Sequence, residues 1–130
     1  MSRNPRFRVF RNGDSLPFVE KFNDLDKEAQ RTVVHELLKE LASLASNPTS
    51  SIGKQLRRGN GLRQSGQPRY RGAATRYLHE RFGDEIVLYG VFVKSRNSDN
   101  DGAIDATLPR QRIVSAARAA GSAGLDSVTA

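Results

Sequence analysis

The sequence predicts an α+β domain, and three observations carry the prediction. Residues 25–45 place apolar side chains three or four positions apart with charged residues between them, which is the spacing of an amphipathic helix. Residues 86–93 form a continuous apolar run, typical of a central strand that is buried on both faces. A short β-branched and aromatic run precedes the helix, so strands lie on both sides of it in the sequence.

Turn and cap residues mark the end of the first strand and both ends of the long helix. Residues 7–10 are the β-branched and aromatic run, and this first strand ends at Asn12-Gly13, a strong turn dipeptide. Asp26 is a suitable N-cap for the long N-terminal helix, which the dipeptide Asn47-Pro48 terminates. The apolar stripe of this helix needs a sheet or another helix to cover it.

The second half of the chain has weaker patterns. Glycines break residues 54–66, which predicts a loop or an irregular strand pair, and residues 70–79 have strand character. After the central strand, residues 97–102 are polar and predict a surface loop. Residues 103–120 show helical periodicity interrupted by Pro109, so we expect only a short C-terminal helix.

Length and composition bound the domain count and the compartment. We expect one domain over residues 1–120, followed by a flexible tail over residues 121–130, which are small and polar. The chain has no cysteine, which excludes a disulfide framework, a thiolate zinc site and a cysteine nucleophile. No apolar run is long enough to cross a bilayer, and residues 1–10 do not form a signal peptide. These features predict a soluble cytoplasmic protein.

A calcium site is the one metal site that the sequence imitates. Residues 97–104 resemble the start of an EF-hand loop, but the first ligand position is Asn97. The twelfth position, which should supply a bidentate glutamate, is Leu108. We therefore expect no metal and no cofactor.

The positive charge of the protein is concentrated in one segment. Residues 54–81 contain eight lysines and arginines against one acid, Glu80, and their net charge of +7 equals that of the whole chain. Tyrosines are interleaved with these cations. This pattern predicts a surface that binds the phosphates of a nucleic acid.

With these elements in this order, the chain resembles the RelE/HigB superfamily of type II toxins over residues 7–118. The resemblance rests on element order and on five stretches: residues 18–25 leading into the helix, Lys54-Gln-Leu-Arg57, the pairs Tyr70-Arg71 and Arg76-Tyr77, the strand 86–94, and Arg110-Gln-Arg112-Ile113. It implies a RelE-like fold, in which the helices, including the long N-terminal helix, pack on one face of a twisted antiparallel sheet.

The resemblance also implies a function and its partners. Proteins of this superfamily are ribosome-dependent, metal-free endoribonucleases that cleave mRNA and arrest translation, and a cognate antitoxin holds them inactive. In the reaction, the ribose 2′-hydroxyl attacks the adjacent phosphate. Cations must stabilise the developing charge, one group must accept the 2′ proton, and another must protonate the leaving oxygen.

Residue roles carry over position by position. Arg71, Arg76 and Lys94 match the cations that stabilise the transition state, and His79 is a further candidate for proton transfer. Tyr77 matches an aromatic position that stacks on a base. The remaining candidate RNA-binding residues are basic: Lys54, Arg57, Arg58, Arg63, Arg69 and Arg96.

Two features depart from the superfamily pattern. Residues 95–102, which follow the central strand, are polar and partly acidic where lysines are usual, and residues 72–74 are small. Strand alternation also places Arg69 and Arg71 on one side and Arg76 on the other unless a bulge intervenes. Two alternatives therefore stay open: a ParE-like inhibitor of DNA gyrase without nuclease activity, and a non-catalytic basic nucleic-acid-binding module.

Overall fold

The computed structural model describes residues 5–47, 49, 52–66 and 74–130. In chain order these residues form β1 (Arg6–Val9), α1 (Pro17–Asp24), α2 (Lys27–Ser46), β2 (Lys54–Gln55), β3 (Arg63–Gly66), β4 (Ala74–Phe82), β5 (Glu85–Lys94), α3 (Asn97–Ala119) and α4 (Ser122–Val128). The strands make one sheet in the spatial order β1-β5-β4-β3-β2. The predicted α+β class is confirmed.

The sheet is mixed. Strands β2 to β5 pair antiparallel in sequence order, and a tight turn at Gly83, with φ of +62°, joins β4 to β5. Strand β1 instead pairs parallel with β5. The prediction of an antiparallel sheet is therefore wrong for β1. Two helices and three strands separate β1 from β5 along the chain, so no hairpin forces the two strands to run antiparallel.

Helices cover both faces of the sheet. On one face, α1 and α2 bury a cluster that contains Phe18, Val33, Leu44, Ile86 and Leu88. On the other face, α3 and α4 bury a cluster that contains Val87, Tyr89, Ile104, Val114 and Leu125. Strand β5 contributes to both clusters, as the continuous apolar run predicts. The expectation of helices on one face only is wrong.

A β-bulge in β5 sets which residues face α3. Leu78 of β4 pairs with Gly90, and the next residue, His79, pairs with Leu88, so Tyr89 is an extra residue in β5. Beyond the bulge, Phe92 packs in the α3 cluster and Val91 in the α2 cluster. The bulge therefore turns Gly90 toward α3 and bends the strand where the two helical layers meet.

Helix α2 forms as the sequence predicts. Asp26 is its N-cap, and the Asp26 Oδ1 atom accepts a hydrogen bond from the Ala29 N–H at 2.7 Å. Val33 and Leu44 bury the apolar stripe against the sheet. The stripe continues onto solvent, because Val34 and Leu38 remain 44% and 62% exposed.

Helix α3 is much longer than predicted. It runs without a break from Asn97 to Ala119 with Pro109 inside it, so the prediction of a short, interrupted helix is wrong. Buried Ile104 and Val114 anchor the helix on both sides of the proline, which offsets the lost backbone hydrogen bond. Residues 97–102, predicted to be a loop, form its first turns.

An acidic side chain explains where α3 begins. The Asp99 carboxylate accepts hydrogen bonds from the backbone N–H groups of Ser95 at 2.9 Å and Arg96 at 3.1 Å. These donors lower the pKa of Asp99, most strongly through the Ser95 backbone. An acid at this position stabilises a helix N-terminus, so the acidic pattern that imitates a calcium loop serves as a cap.

The last residues fold back onto the sheet edge. Residues 121–130, predicted to be a flexible tail, contain α4, and Leu125 and Thr129 are buried. Val9 and Ala130 exchange backbone hydrogen bonds of 3.1 and 2.9 Å, which extends the sheet beyond β1. None of the described helices is long and apolar enough to span a membrane.

Candidate nucleic-acid interface

Three cations lie on the sheet face that also packs against α3. Arg76 pairs with Phe92, whose ring belongs to the α3 cluster, and Lys94 lies two residues further along β5 on the same side. Lys54 pairs with Gln64, whose side-chain amide donates a hydrogen bond to Asn100 of α3. We call Lys54, Arg76 and Lys94 the cation face.

Arg76 is the most enclosed member of the cation face. It lies opposite Gly66 of β3, where an added Cβ would stand 2.9 Å from the Arg76 Cα atom. The glycine therefore lets β3 approach Arg76 closely. The Nε atom of Arg76 is buried and has no hydrogen-bond partner among the described residues. A buried donor without an acceptor costs free energy, so this Nε atom needs an acceptor that the described residues do not supply.

Three predicted RNA-binding residues lie around α3, and they differ in whether an acidic side chain neutralises their charge. Arg57 is exposed in the loop between β2 and β3. Arg58 pairs with Asp105 of α3, so this charge is already partly neutralised. Arg96, at the start of α3, is 78% exposed and lies 3.7 Å from the Asp99 carboxylate. Arg57 and Arg96 are therefore more available than Arg58 to bind an anion.

Arg63 does not join the cation face. It pairs with His79 on the opposite side of the sheet, where its Nε and Nη2 atoms donate to the carbonyl oxygens of Ile52 at 2.5 Å and Gly53 at 2.9 Å. The guanidinium thereby fixes the turn before β2. The Arg63 guanidinium is engaged with these backbone carbonyl oxygens, and the predicted RNA-binding role of Arg63 stays a prediction.

Tyr77 and His79 are enclosed on the same opposite face. Both side chains are fully buried, and the Nε2 atom of His79 is hydrogen-bonded to the Ser65 Oγ atom at 2.8 Å. Burial, and secondarily the charge of Arg63, lowers the pKa of His79 to about 3. Tyr77 cannot stack on a base and His79 cannot accept a proton from RNA in this arrangement, so we build the site without them.

A buried carboxylate completes the enclosed cluster. Glu40 of α2 is 7% exposed and lies beside the hydroxyls of Ser65 and Tyr77, and burial raises the pKa of Glu40. Its Oε2 atom, the Tyr77 hydroxyl and the His79 Nδ1 atom are buried without hydrogen-bond partners among the described residues. We call Glu40, Ser65, Tyr77 and His79 the enclosed polar cluster.

Two of the predicted site residues fall outside the described part of the chain. These are Arg69 and Arg71, which precede β4. Their predicted roles stay predictions.

A groove borders the cation face. It has a volume of 410 Å³ and lies between α1 and α3 above the bulge of β5. Leu78, Val91 and Phe92 line its floor, and the charged residues of its walls are Arg110 on α3 and Glu20, Lys21 and Asp24 on α1. Sequence patterns do not predict this groove, because its walls come from helices that are far apart in the chain. In the sequence, Arg110 is one residue of a basic stretch.

No family model and no curated protein matches the sequence of this chain.

In the described part of the chain, no group of three or more histidine, aspartate or glutamate side chains could hold a metal ion.

Proposed function

We propose that the chain is a RelE/HigB-like toxin that binds RNA across the cation face and cleaves it by attack of the ribose 2′-oxygen on the adjacent phosphate. As this bond forms, the bond from phosphorus to the 5′-oxygen of the next nucleotide breaks, which leaves a cyclic phosphate and a 5′-hydroxyl. The 2′ proton passes to solvent, and the leaving oxygen takes a proton from solvent. The observation that carries the proposal is the placement of Arg76 and Lys94. They lie on adjacent strands and on the same side, one diagonal step apart in the β4–β5 pairing. Side chains in this relation lie within reach of one phosphate group.

The chemistry follows from charge. When the 2′-oxygen attacks, negative charge builds on the phosphate oxygens, and the guanidinium of Arg76 and the ammonium of Lys94 stabilise it. Lys54, Arg57 and Arg96 extend the positive surface along which the rest of the backbone binds. By resemblance, Arg71 adds a further cation.

The partners are part of the proposal. The substrate is mRNA on the ribosome, and a cognate antitoxin presents acidic groups to the cation face and blocks it. Release of the antitoxin frees the cations for RNA.

The test is induction of the chain without a partner, followed by primer extension on cellular transcripts. New 5′ ends at in-frame codon positions support the proposal. Arg76→Ala and Lys94→Ala should each lower cleavage by about 10²-fold or more. Lys39→Ala is the matched control, since Lys39 is an exposed cation on α2, on the other side of the sheet. Full cleavage by both site variants would contradict the proposal.

A second candidate is nucleic-acid binding without cleavage. The burial of Tyr77 and His79 favours it, because it removes the two predicted groups other than cations from the site. The same induction separates the two candidates. Intact transcripts, together with binding of a short RNA that Lys94→Ala weakens, would support the second candidate.

A further inference from the structure

The groove between α1 and α3 has polar groups on opposite walls. On the α3 wall, Arg110 is half-buried, and its Nη1 atom donates to the Tyr89 carbonyl oxygen at 2.5 Å. The other donors of this guanidinium have no partner among the described residues. On the α1 wall, Asp24 is exposed and also makes no hydrogen bond or ion pair within that part of the chain.

The floor of the groove is apolar and open. Leu78, Val91 and Phe92 form it, and Gly90, which follows the bulge residue, leaves space where a side chain would meet Arg110 at 3.4 Å and Thr107 at 3.6 Å. The volume of 410 Å³ falls within the size range of small-ligand sites. A flat, partly apolar ring fits such a floor better than a sugar or a phosphate.

The groove adjoins the cation face through one residue pair. Phe92 lines the floor, and its partner across the β4–β5 pairing is Arg76. Paired residues of neighbouring strands have Cβ atoms about 5 Å apart. A nucleotide whose phosphate contacts Arg76 therefore has its base within reach of the groove.

We propose that this groove binds the guanine base of an RNA nucleotide, and the proposal rests on the RNA-binding function above. Guanine presents acceptors at O6 and N7, which match the free donors of Arg110. Its N1–H and N2–H groups donate to the Asp24 carboxylate on the opposite wall, while the ring lies on Phe92. Adenine has a donor at the position of O6 and lacks the N1 proton, so the same walls reject it.

The test is a titration of the isotopically labelled chain with mononucleotides, followed by NMR. Guanosine 5′-monophosphate should shift the resonances of Gly90, Phe92 and Ala106, and it should bind at least about tenfold more tightly than adenosine 5′-monophosphate. Inosine 5′-monophosphate, which lacks N2, should bind with intermediate affinity. Ribose 5-phosphate reports binding of the phosphate alone and should shift only the cation face.

Matched variants locate the contact. Asp24→Asn should lower the affinity for guanosine 5′-monophosphate about fivefold or more and leave ribose 5-phosphate unchanged. Asp14→Asn, an exposed acid in the turn before α1, is the control and should change neither. Equal affinities for the guanine and adenine nucleotides, or no shift at the groove, would overturn this inference. Failure of the proposed function would appear separately, as intact transcripts in cells.

Discussion

The side chains of strand β4 differ between the two faces of the sheet. Those that face α2 are enclosed, whereas the α3 side carries a member of the cation face. On the α2 side, Tyr77 and His79 are fully buried, and Glu40 packs beside Tyr77. On the α3 side, Arg76 lies with Lys94 on the cation face, and its Nε donor has no described partner. One strand therefore supplies both core and candidate site, because its side chains alternate between the faces.

The two sides also differ in what satisfies their polar groups. The enclosed polar cluster is shielded from solvent by α2 and by the turn at Gly53, where an added Cβ would lie 2.5 Å from the Ser65 Oγ atom. On the cation face, Lys54 is exposed and Arg76 and Lys94 are half-buried. Substitutions on the two sides should accordingly have separable consequences: stability on one side and RNA cleavage on the other.

The largest expected effect is the loss of core packing in Tyr77→Ala. Tyr77 is fully buried among Val33, Ile86 and Val91, so truncation should cost about 3–5 kcal/mol of the free energy of unfolding. Urea denaturation measures this change. Ile113→Ala, at an apolar position of α3 that is 45% exposed, is the control and should cost far less. Equal losses in the two variants would refute the enclosure of Tyr77.

The next effect is acid destabilisation through His79. Its folded pKa of about 3 lies below the unfolded value of 6.5, so its contribution to stability is present above pH 6.5 and is lost as the pH falls toward 3. At pH 4 the loss relative to pH 7 should be about 3 kcal/mol. Measurement of unfolding at both pH values, for the wild type and for His79→Gln, isolates the loss of stability that comes from protonation of His79. A loss of the same size in both proteins would show that His79 is not responsible.

The substitution Lys94→Gln tests the role of the cation face. The substitution removes a charge from the cation face without touching either core cluster, so RNA cleavage should fall by about 10²-fold while the melting temperature stays unchanged. The measurements are primer extension and thermal unfolding of the same preparation. A drop in melting temperature large enough to explain lost activity would show that Lys94 belongs to the fold rather than to the site.

Local patterns predicted the elements whose signals are local. The spacing of apolar residues gave α2, and the continuous apolar run gave β5, since periodicity and burial on two faces leave direct traces in the sequence. Helix α3 was underestimated because Pro109 is a local breaker, while the packing of Ile104 and Val114 that overrides it is tertiary. The acidic residues of its first turns favoured the prediction of a loop, although Asp99 caps the helix.

The candidate site could be predicted only in part, because it also depends on tertiary packing. Charge density identified the segment that supplies Lys54 and Arg76, but residue type alone does not tell which strand face is covered. Tyr77 and His79 look like binding residues in the sequence and are buried by α2. Glu40 carried a usable signal, because it lies seven residues after Val33 and four before Leu44 on the apolar stripe of α2.

The smallest effect that we predict concerns Glu40 and has the opposite sign to that of His79. Burial raises the folded pKa of Glu40, so its contribution to stability is present below the unfolded value of 4.5 and is lost as the pH rises through the folded pKa. Glu40→Gln removes the buried charge and keeps the shape of the side chain. At pH 7 the variant should be about 1 kcal/mol more stable than the wild type, and at pH 4 the two should be equal.

Urea denaturation of both proteins at the two pH values measures this difference. Glu36→Gln, on the same helix, is the control for a change of charge at a less buried carboxylate and should shift stability little at either pH. A constant offset between Glu40→Gln and the wild type at both pH values would assign the effect to packing of the amide. An offset that appears only as the pH rises would assign it to the ionisation of Glu40, because the two proteins share every other titrating group.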